Sequence, residues 1–529
     1  MFAPFSSAAA VGEAWGQWAT WGDQGDGTYR NPVLPADYSD LDCIRVGADY
    51  YGISSTFQFS PGVVILHSKD LVNWRTAGHA VSDLTQISPA MNWDRMDRYG
   101  RGVWAGAIRH HAGKFWIYFG TPDEGYFMTS AADVAGPWAP LHRLLPEAGW
   151  DDCCPFWDDE GQGWFVGTHF KDGYKTWLFK LTPDGRDLVR ETGRIINEGS
   201  RREANKLYKI DGTYYHFFSE WREGVGRYVM MQRAKNITGP YSEVRQLSHA
   251  QRDAMEPNQG GLVQTENGAW FFFTHHGTGS WEGRAASLLP VTWIDGWPIL
   301  GVPGADGIGT MVWSGRKPVD GAPIAFPQGS DEFSSGPFAL PWEWNYQPRA
   351  DKWSLTERPG FLRLHAFRGL DGDNLLKVGN ILTQRAVRAG SSAVVVRLEL
   401  EGLVDGQHAG LCHFSATRRR ENPAASAASL GCVQVGRERF LEFSRDGRFT
   451  RGPALTDSVL WLKSSWGQDG VSRFAYSLDG ETFASFGESY AFVWGAYRGD
   501  RIGLFTFNPT ADAGHVDVDW VRYDFSRGP

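Results

Sequence analysis

Gly113-Lys-Phe115-Trp116-Ile-Tyr118 is a turn glycine running directly into an aromatic strand. The pattern returns as Gly47-Ala-Asp-Tyr50-Tyr51, Gly161-Gln-Gly-Trp164-Phe165, Gly212-Thr-Tyr214-Tyr215 and Gly268-Ala-Trp270-Phe271-Phe272, at intervals of 66, 48, 51 and 56 residues. Self-similarity at roughly 50 residues marks a repeat architecture. Helical periodicity is nearly absent over these units. Short β-rich runs punctuated by turn residues fit an all-β fold, a five-bladed β-propeller with one unit per blade. A β-sandwich array without radial closure is the alternative. The variable repeat length favours blades, which carry site loops of different sizes.

A second pattern accompanies several units. Ser68-Lys-Asp70-Leu71-Val-Asn-Trp74, Ser130-Ala-Ala-Asp133-Val134-Ala-Gly136-Pro137-Trp138 and Arg233-Ala-Lys-Asn236-Ile237-Thr-Gly239-Pro240-Tyr241 each read as a strand, a small-residue corner and an aromatic plug. Residues 301–330 then hold seven Gly and four Pro with no clear period, which is linker composition. Beyond Asp331 the style changes to period-2 alternation, as in Ser392-Ala-Val-Val-Val-Arg-Leu-Glu-Leu400 and Val516-Asp-Val-Asp-Trp-Val-Arg-Tyr-Asp-Phe525. Such alternation reads as a jelly-roll β-sandwich. The expected organisation is a propeller over 1–310, a linker over 311–330 and a sandwich over 331–529. The sandwich has no evident catalytic constellation, and its expected role is packing, a wall of the site, or carbohydrate binding.

The composition narrows function. With 52 Lys+Arg against 61 Asp+Glu, the net charge of -9 argues against nucleic acid and anionic membrane as partners. No run of about 18 apolar residues exists to span a bilayer. The N-terminal MFAPFSSAAAVGEAWGQW lacks a basic n-region and is no intact signal peptide, so periplasmic, secreted and cytoplasmic locations in a bacterial-type cell all stay open. Five Cys make no disulfide framework; Cys412 and Cys432 are the pair a sheet could bring together. The chain lacks CxxC, HExxH, GxSxG and Walker A motifs, which leaves zinc, α/β-hydrolase and NTPase chemistry without sequence support. Arg418-Arg419-Arg420 is too short a basic run for a polyanion partner, and nothing in the sequence speaks to oligomeric state. The 25 Trp, 32 Phe and 18 Tyr suggest a stacking surface for something flat.

Three acidic residues fall beside the repeat strands: Asp40 before the first, Asp152 in Gly149-Trp-Asp-Asp-Cys-Cys-Pro-Phe-Trp157, and Glu203 in Glu203-Ala-Asn-Lys-Leu-Tyr-Lys-Ile210. They belong to different units, so only tertiary structure can bring them together. Several ordered motifs across these units now resemble glycoside hydrolase family 43. They are Asn31-Pro-Val-Leu, Arg45-Val-Gly-Ala-Asp-Tyr-Tyr51, Ser54-Ser-Thr-Phe-Gln-Phe-Ser-Pro-Gly62, His67-Ser-Lys-Asp-Leu-Val-Asn-Trp74, Trp104-Ala, Cys154-Pro-Phe-Trp-Asp-Asp159, Leu207-Tyr-Lys-Ile-Asp-Gly212, Gln259-Gly-Gly and Gly283-Arg284. The 330–529 part is similar, more loosely, to the concanavalin-like sandwich of many β-xylosidases.

The resemblance implies an exo-acting, inverting glycosidase that releases terminal α-L-arabinofuranose or β-D-xylose from plant cell-wall oligo- or polysaccharides. It implies Asp40 as general base, Asp152 as the residue that orients the acid and tunes its pKa, Glu203 as general acid, and Arg284 as the cation that holds sugar and carboxylates. An inverting hydrolase needs a base and an acid about 6.5–9.5 Å apart, with a water between base and sugar. Charge repulsion from Asp152 is expected to keep Glu203 protonated. Asp151 is a rival to Asp152, ranked behind it by motif register. Phe57, Trp104, Trp150 and Trp281 are candidates for a sugar-stacking platform. Relatives place a histidine in the channel, sometimes beside calcium, and His275 and His276 are the candidates; no cofactor is required and structural calcium stays open.

This sequence departs from the family pattern at Asp40-Leu-Asp42, Trp104-Ala-Gly106, Asp152-Cys153 and Glu203-Ala-Asn205. Every acidic residue survives, so the chemistry is expected to stand while the loops differ. The rivals from other classes are a non-catalytic carbohydrate-binding propeller and a retaining, fructoside-type propeller hydrolase with carboxylates about 5–5.5 Å apart.

Overall fold

A computed structural model describes residues 20–241, 244–250, 257–276, 279–334, 336–372, 374–416 and 425–526. The Arg418–Arg420 run and the first 19 residues lie outside the described residues. The five repeats form five separate sheets, each built on four antiparallel strands; that of blade four is extended to six by Gly309–Thr310 and Val302–Pro303. Blade one runs Asp42–Val46, Asp49–Ser54, Gly62–Ser68 and Trp74–Val81. The first strands of the next four blades are Gly106–His111, Trp150–Trp157, Glu203–Ile210 and Gly260–Gln264.

The repeated glycine has a physical reason. Gly47, Gly113, Gly161, Gly212 and Gly268 all have positive φ, between 62° and 86°, in the turn after each first strand. At Ala112-Gly113 and Asp211-Gly212 both loop residues are left-handed, the turn that matches strand twist in a two-residue hairpin. The corner motif is equally specific. Its aromatic plug donates to a backbone carbonyl just upstream: Trp74 Nε1 to Leu71 at 2.9 Å, Trp138 Nε1 to Val134 at 3.2 Å, and the Tyr241 hydroxyl to Ile237 at 2.8 Å.

The first strands of blades one to four stand side by side in order, and that of blade five lies against that of blade one. Gly261 lies against the backbone of Cys43, where a side chain would not fit. Phe273 of blade five stacks on Trp74 of blade one, with ring centroids 4.5 Å apart. The seam is reinforced by a three-stranded sheet of Gly22–Asp23, Thr28–Arg30 and Ser314–Arg316. The stretch read as linker is therefore ordered. Lys317 pairs with Asp23 at 2.6 Å and Asp70 at 3.0 Å, and Gln328 accepts from the Tyr38 hydroxyl at 3.0 Å. Lack of periodicity identified it as non-repeating, but its partners are remote in sequence.

The remainder is a sandwich of two large antiparallel sheets. One of the two sheets takes its last strand from the propeller: Phe59–Ser60 pairs with Glu343–Asn345, Ser60 opposite Trp344. All five cysteines are free and buried. Cys412 and Cys432 occupy neighbouring strands but face opposite sides of their sheet, Cys412 toward Phe59 and Cys432 into the inter-sheet core.

Trp74→Ala, which removes a fully buried ring at the closing seam, is expected to cost about 3–5 kcal/mol. Urea unfolding measures it, and a loss below about 1 kcal/mol would mean the seam does not depend on this contact.

Candidate active site

Asp40, Asp151, Asp152 and Glu203 line one cleft of about 450 Å³, together with Phe57, Trp104, His275 and Arg284. The backbone explains how residues from different blades converge. Asp152 sits in a break of register between Asp151 and Cys154 on the first strand of blade three, and Glu203 at another between Glu203 and Lys206 on that of blade four. Such bulges re-aim side chains out of the regular alternation. Asp40, Phe57, Asp152 and Ala204 all hold positive φ, between 52° and 69°. Strained backbone of this kind collects at functional sites and is sustained by surrounding contacts.

Those contacts are visible. The Asn205 amide donates to the Asp152 carbonyl and to Thr168 Oγ1, both at 2.8 Å, and its Oδ1 meets His216 Nε2 at 2.8 Å. Asn205 thus ties the Glu203 bulge to the Asp152 bulge. The other departures from the family pattern also act inside the channel. Asp42 accepts from Arg109 at 2.7 Å and from the Ile108 N–H at 3.0 Å, and the Gly106 carbonyl accepts from the buried Lys206 ammonium at 3.2 Å.

Arg284 Nη1 donates to Asp40 Oδ1 at 2.6 Å, and the Asp40 N–H donates to His275 Nδ1 at 2.7 Å. Burial, then the neighbouring Arg284, holds the His275 imidazole well below its usual pKa, consistent with a neutral ring accepting at Nδ1. Glu203 forms an ion pair with Arg227, which also donates to the Arg201 carbonyl and Ser219 Oγ at 3.1 Å. Burial and mutual repulsion among the cleft carboxylates act on Asp152, whose carboxyl is raised. Asp152 is 5% exposed, whereas the Glu203 side chain is 29% exposed. Burial, followed by the charges of Glu203 and Asp40, pushes the Asp152 carboxyl up to about 7, and Lys206 partly opposes this. Asp151 is also raised, by burial and then by Asp152.

Two platform candidates lie elsewhere. Trp281 donates Nε1–H to the Gln468 carbonyl at 3.3 Å and packs against Phe492, so it belongs to the propeller–sandwich junction. Trp150 stacks on His169 at 4.4 Å inside blade three. Both are aromatic and adjacent to site loops, and only packing separates them from true lining residues. Trp104 is half-buried in the cleft wall, near Phe170 and Tyr497 at 6.3 and 6.1 Å. His276 turns away from the cleft to Ser287 Oγ at 2.6 Å, so His275 is the channel histidine. No group of three or more His, Cys, Asp or Glu among the described residues could hold a metal ion. His275 Nε2 is buried without a protein partner among the described residues.

Sequence reasoning missed Arg227, Asn205, Tyr174, Trp221 and Tyr497. Tyr497 belongs to the sandwich, yet lines the cleft with Arg284 Cζ 5.5 Å from its ring. The sandwich is therefore a wall of the site.

Residues 29–298 match the family model for glycosyl hydrolases family 43. The chain is 33% identical over 561 residues to a beta-xylosidase from Formosa agariphila, covering 97% of this chain and 93% of that protein. This chain belongs to glycosyl hydrolase family 43. The family 43 assignment makes the protein a glycosidase. Residues 330–524 match the model for the beta xylosidase C-terminal concanavalin A-like domain. A putative beta-xylosidase from Xylanibacter ruminicola is 35% identical over 92% of this chain and 88% of its own. A non-reducing end alpha-L-arabinofuranosidase from Bacteroides ovatus is 30% identical over 64% of this chain and 65% of its own. Among solved structures, a GH43 protein from Bacillus licheniformis superposes with a TM-score of 0.79 at 25% identity, covering 94% of this hydrolase and all of that chain. A bifunctional GH43-CE protein from Bacteroides eggerthii gives 0.81 at 29% identity, over 96% of this chain and 64% of that one.

The raised Asp152 carboxyl has a consequence for stability. The native state keeps this proton between the unfolded carboxylate range, near pH 3.9, and pH of about 7, so stability is lost as pH rises through that window. Asp152→Asn removes the titration. It is expected to melt higher than the wild type at pH 8, by the equivalent of roughly 1–4 kcal/mol, with the gain shrinking toward pH 4. Thermal melts across pH check this, and a gain that does not vary with pH would count against it.

Proposed function

We propose that the protein is an exo-acting, inverting hydrolase that releases terminal β-D-xylose, and secondarily α-L-arabinofuranose, from plant cell-wall oligo- or polysaccharides. The observation that carries this reading is the convergence of Asp40, Asp152 and Glu203, from three separate parts of the chain, on one cleft. A purely sugar-binding propeller has no need to crowd carboxylates at that electrostatic cost. Xylose comes first because relatives named beta-xylosidase match this chain nearly end to end, whereas the arabinofuranosidase relative matches 64% of it.

In this reading Asp40 is the general base. Arg284 and the His275-anchored backbone fix its carboxylate, which accepts a proton from the attacking water. Glu203 is the general acid and protonates the leaving oxygen. Asp152, buried in the same cleft and held at its carbonyl by Asn205, supplies the local charge balance that allows one proton to reside in the group. Arg284, Phe57 and Trp104 hold the sugar. With Tyr497 closing one side, the cleft suits a chain end. Inversion places no covalent sugar on the protein.

Asp40→Asn and Glu203→Gln are each expected to lower kcat on an aryl β-D-xylopyranoside by at least ~10³-fold while the melting profile stays cooperative. NMR of the first-formed sugar should show the inverted anomer; a retained anomer would favour the fructoside-type double displacement. The specificity constant for the xylopyranoside should exceed that for aryl α-L-arabinofuranoside, and the reverse order would reassign the substrate.

A further inference from the structure

The pair Asp40–Arg284 does not stand alone. Asp37, three residues before the base, is buried and 1% exposed. Its Oδ2 accepts from Arg498 Nη2 at 2.7 Å, and Arg498 belongs to the sandwich. Its Oδ1 faces the Arg284 N–H at 3.5 Å and the Ser39 hydroxyl at 3.3 Å. One carboxylate therefore touches the base loop and the loop that carries Arg284, and is tied to the second domain.

Arg498 is fully buried and its Nη1 donates to the Thr56 carbonyl at 2.8 Å. Its guanidinium lies 4.5 Å from the centroid of the Phe57 ring, on the cleft-lining residue that holds φ of 56°. Neighbouring residues bring the same segment into contact. The Asp500 N–H donates to the Trp281 carbonyl at 2.8 Å. Gly499 lies against the backbone of Glu282 and Gly283 with no room for a side chain. A Cβ on Gly283 would sit 2.5 Å from Asp37 Oδ1, so glycine there leaves the space the carboxylate fills. Gly100 likewise leaves room for Ala496, whose Cβ would be 2.7 Å from a side chain at that position.

Other charged groups complete the setting. Arg385 Nε donates to the Asp37 carbonyl at 2.7 Å, and Arg501 stands 3.8 Å from Asp37 Oδ2. Glu343 accepts from Arg385 and Arg501, each at 2.9 Å, so those two cations share a second carboxylate. Arg498, at 2.7 Å, makes the shorter of the two cationic contacts to the Asp37 carboxylate. A buried charge pair is weak evidence for stability, because desolvation offsets the attraction. It is better explained as a means of fixing geometry where a displacement of about 1 Å costs rate.

We infer that Asp37 and Arg498 are positioning residues for the reaction: the sandwich, through Arg498, locks the Asp37 carboxylate, which in turn sets Arg284 against the base Asp40. This rests on the proposed role of Asp40. It assigns the second domain a part in the chemistry that is separate from the wall formed by Tyr497.

The test compares kcat and KM for an aryl β-D-xylopyranoside across Asp37→Asn, Arg498→Met and Arg498→Lys. The full-length chain is used, with active protein normalised by cooperative melting. Asp37→Asn keeps the shape of the side chain, so it remains informative where Arg498→Met folds poorly. Asp37→Asn and Arg498→Met are each expected to lower kcat about 10- to 100-fold with KM changed less than threefold, and Arg498→Lys to recover part of the loss. The double variant should fall little further than either single one. Lys317→Met, which breaks the buried contacts to Asp23 and Asp70 away from the cleft, serves as control and should lower the melting temperature with kcat unchanged. Wild-type kcat in Asp37→Asn, or an equal kcat loss in Lys317→Met, overturns the inference. Wild-type kcat in Asp40→Asn overturns the base assignment instead, so the two failures are distinguishable.

Discussion

Like charges are packed at the end of a closed ring of blades, and the rest of the molecule is arranged around that constraint. Asp40, Asp151, Asp152 and Glu203 share one cleft, and two of them are pushed up by burial and mutual repulsion. Such a cluster persists only when its surroundings over-determine it. Arg284, Arg227 and Lys206 supply the compensating charge, and hydrogen bonds from Asn205 and to His275 fix the backbone at positions whose φ is unfavourable. The carboxylates are thus held by the scaffold rather than by one another.

The propeller is suited to this task because its first strands gather around one axis. A bulge in any of them turns a side chain toward the same space, as happens at Asp152 and Glu203. The sandwich extends the scaffold instead of hanging from it. It shares a sheet with Phe59–Ser60, buries Arg498 under Phe57 and presents Tyr497 to the cleft. The stretch between the two domains follows the same logic, strapped to the propeller by Lys317 and by strand pairing with Thr28–Arg30.

Much of this was legible in the chain. The repeated glycine signalled a left-handed turn, and the aromatic plugs signalled blade corners; both are local rules of backbone geometry and packing. The family motifs pointed to Asp40, Asp152, Glu203 and Arg284, and all four line the cleft. Trp281 and Trp150 were misread because an aromatic beside a site loop packs equally well into a junction or a core. Arg227 and Tyr497 carried no motif at all, and no local pattern separates them from the many other arginines and tyrosines.

Sequence alone determined the fold class and the number of blades, because both depend on periodicity, and short motifs singled out the acidic residues. Tertiary structure alone decided which of those residues meet. Convergence of groups from different blades is a property of ring closure and of bulge geometry. The raised pKa of Asp152 is likewise a property of burial. Neither burial nor closure is written in any single stretch of chain, since both are set by what the remaining residues leave exposed.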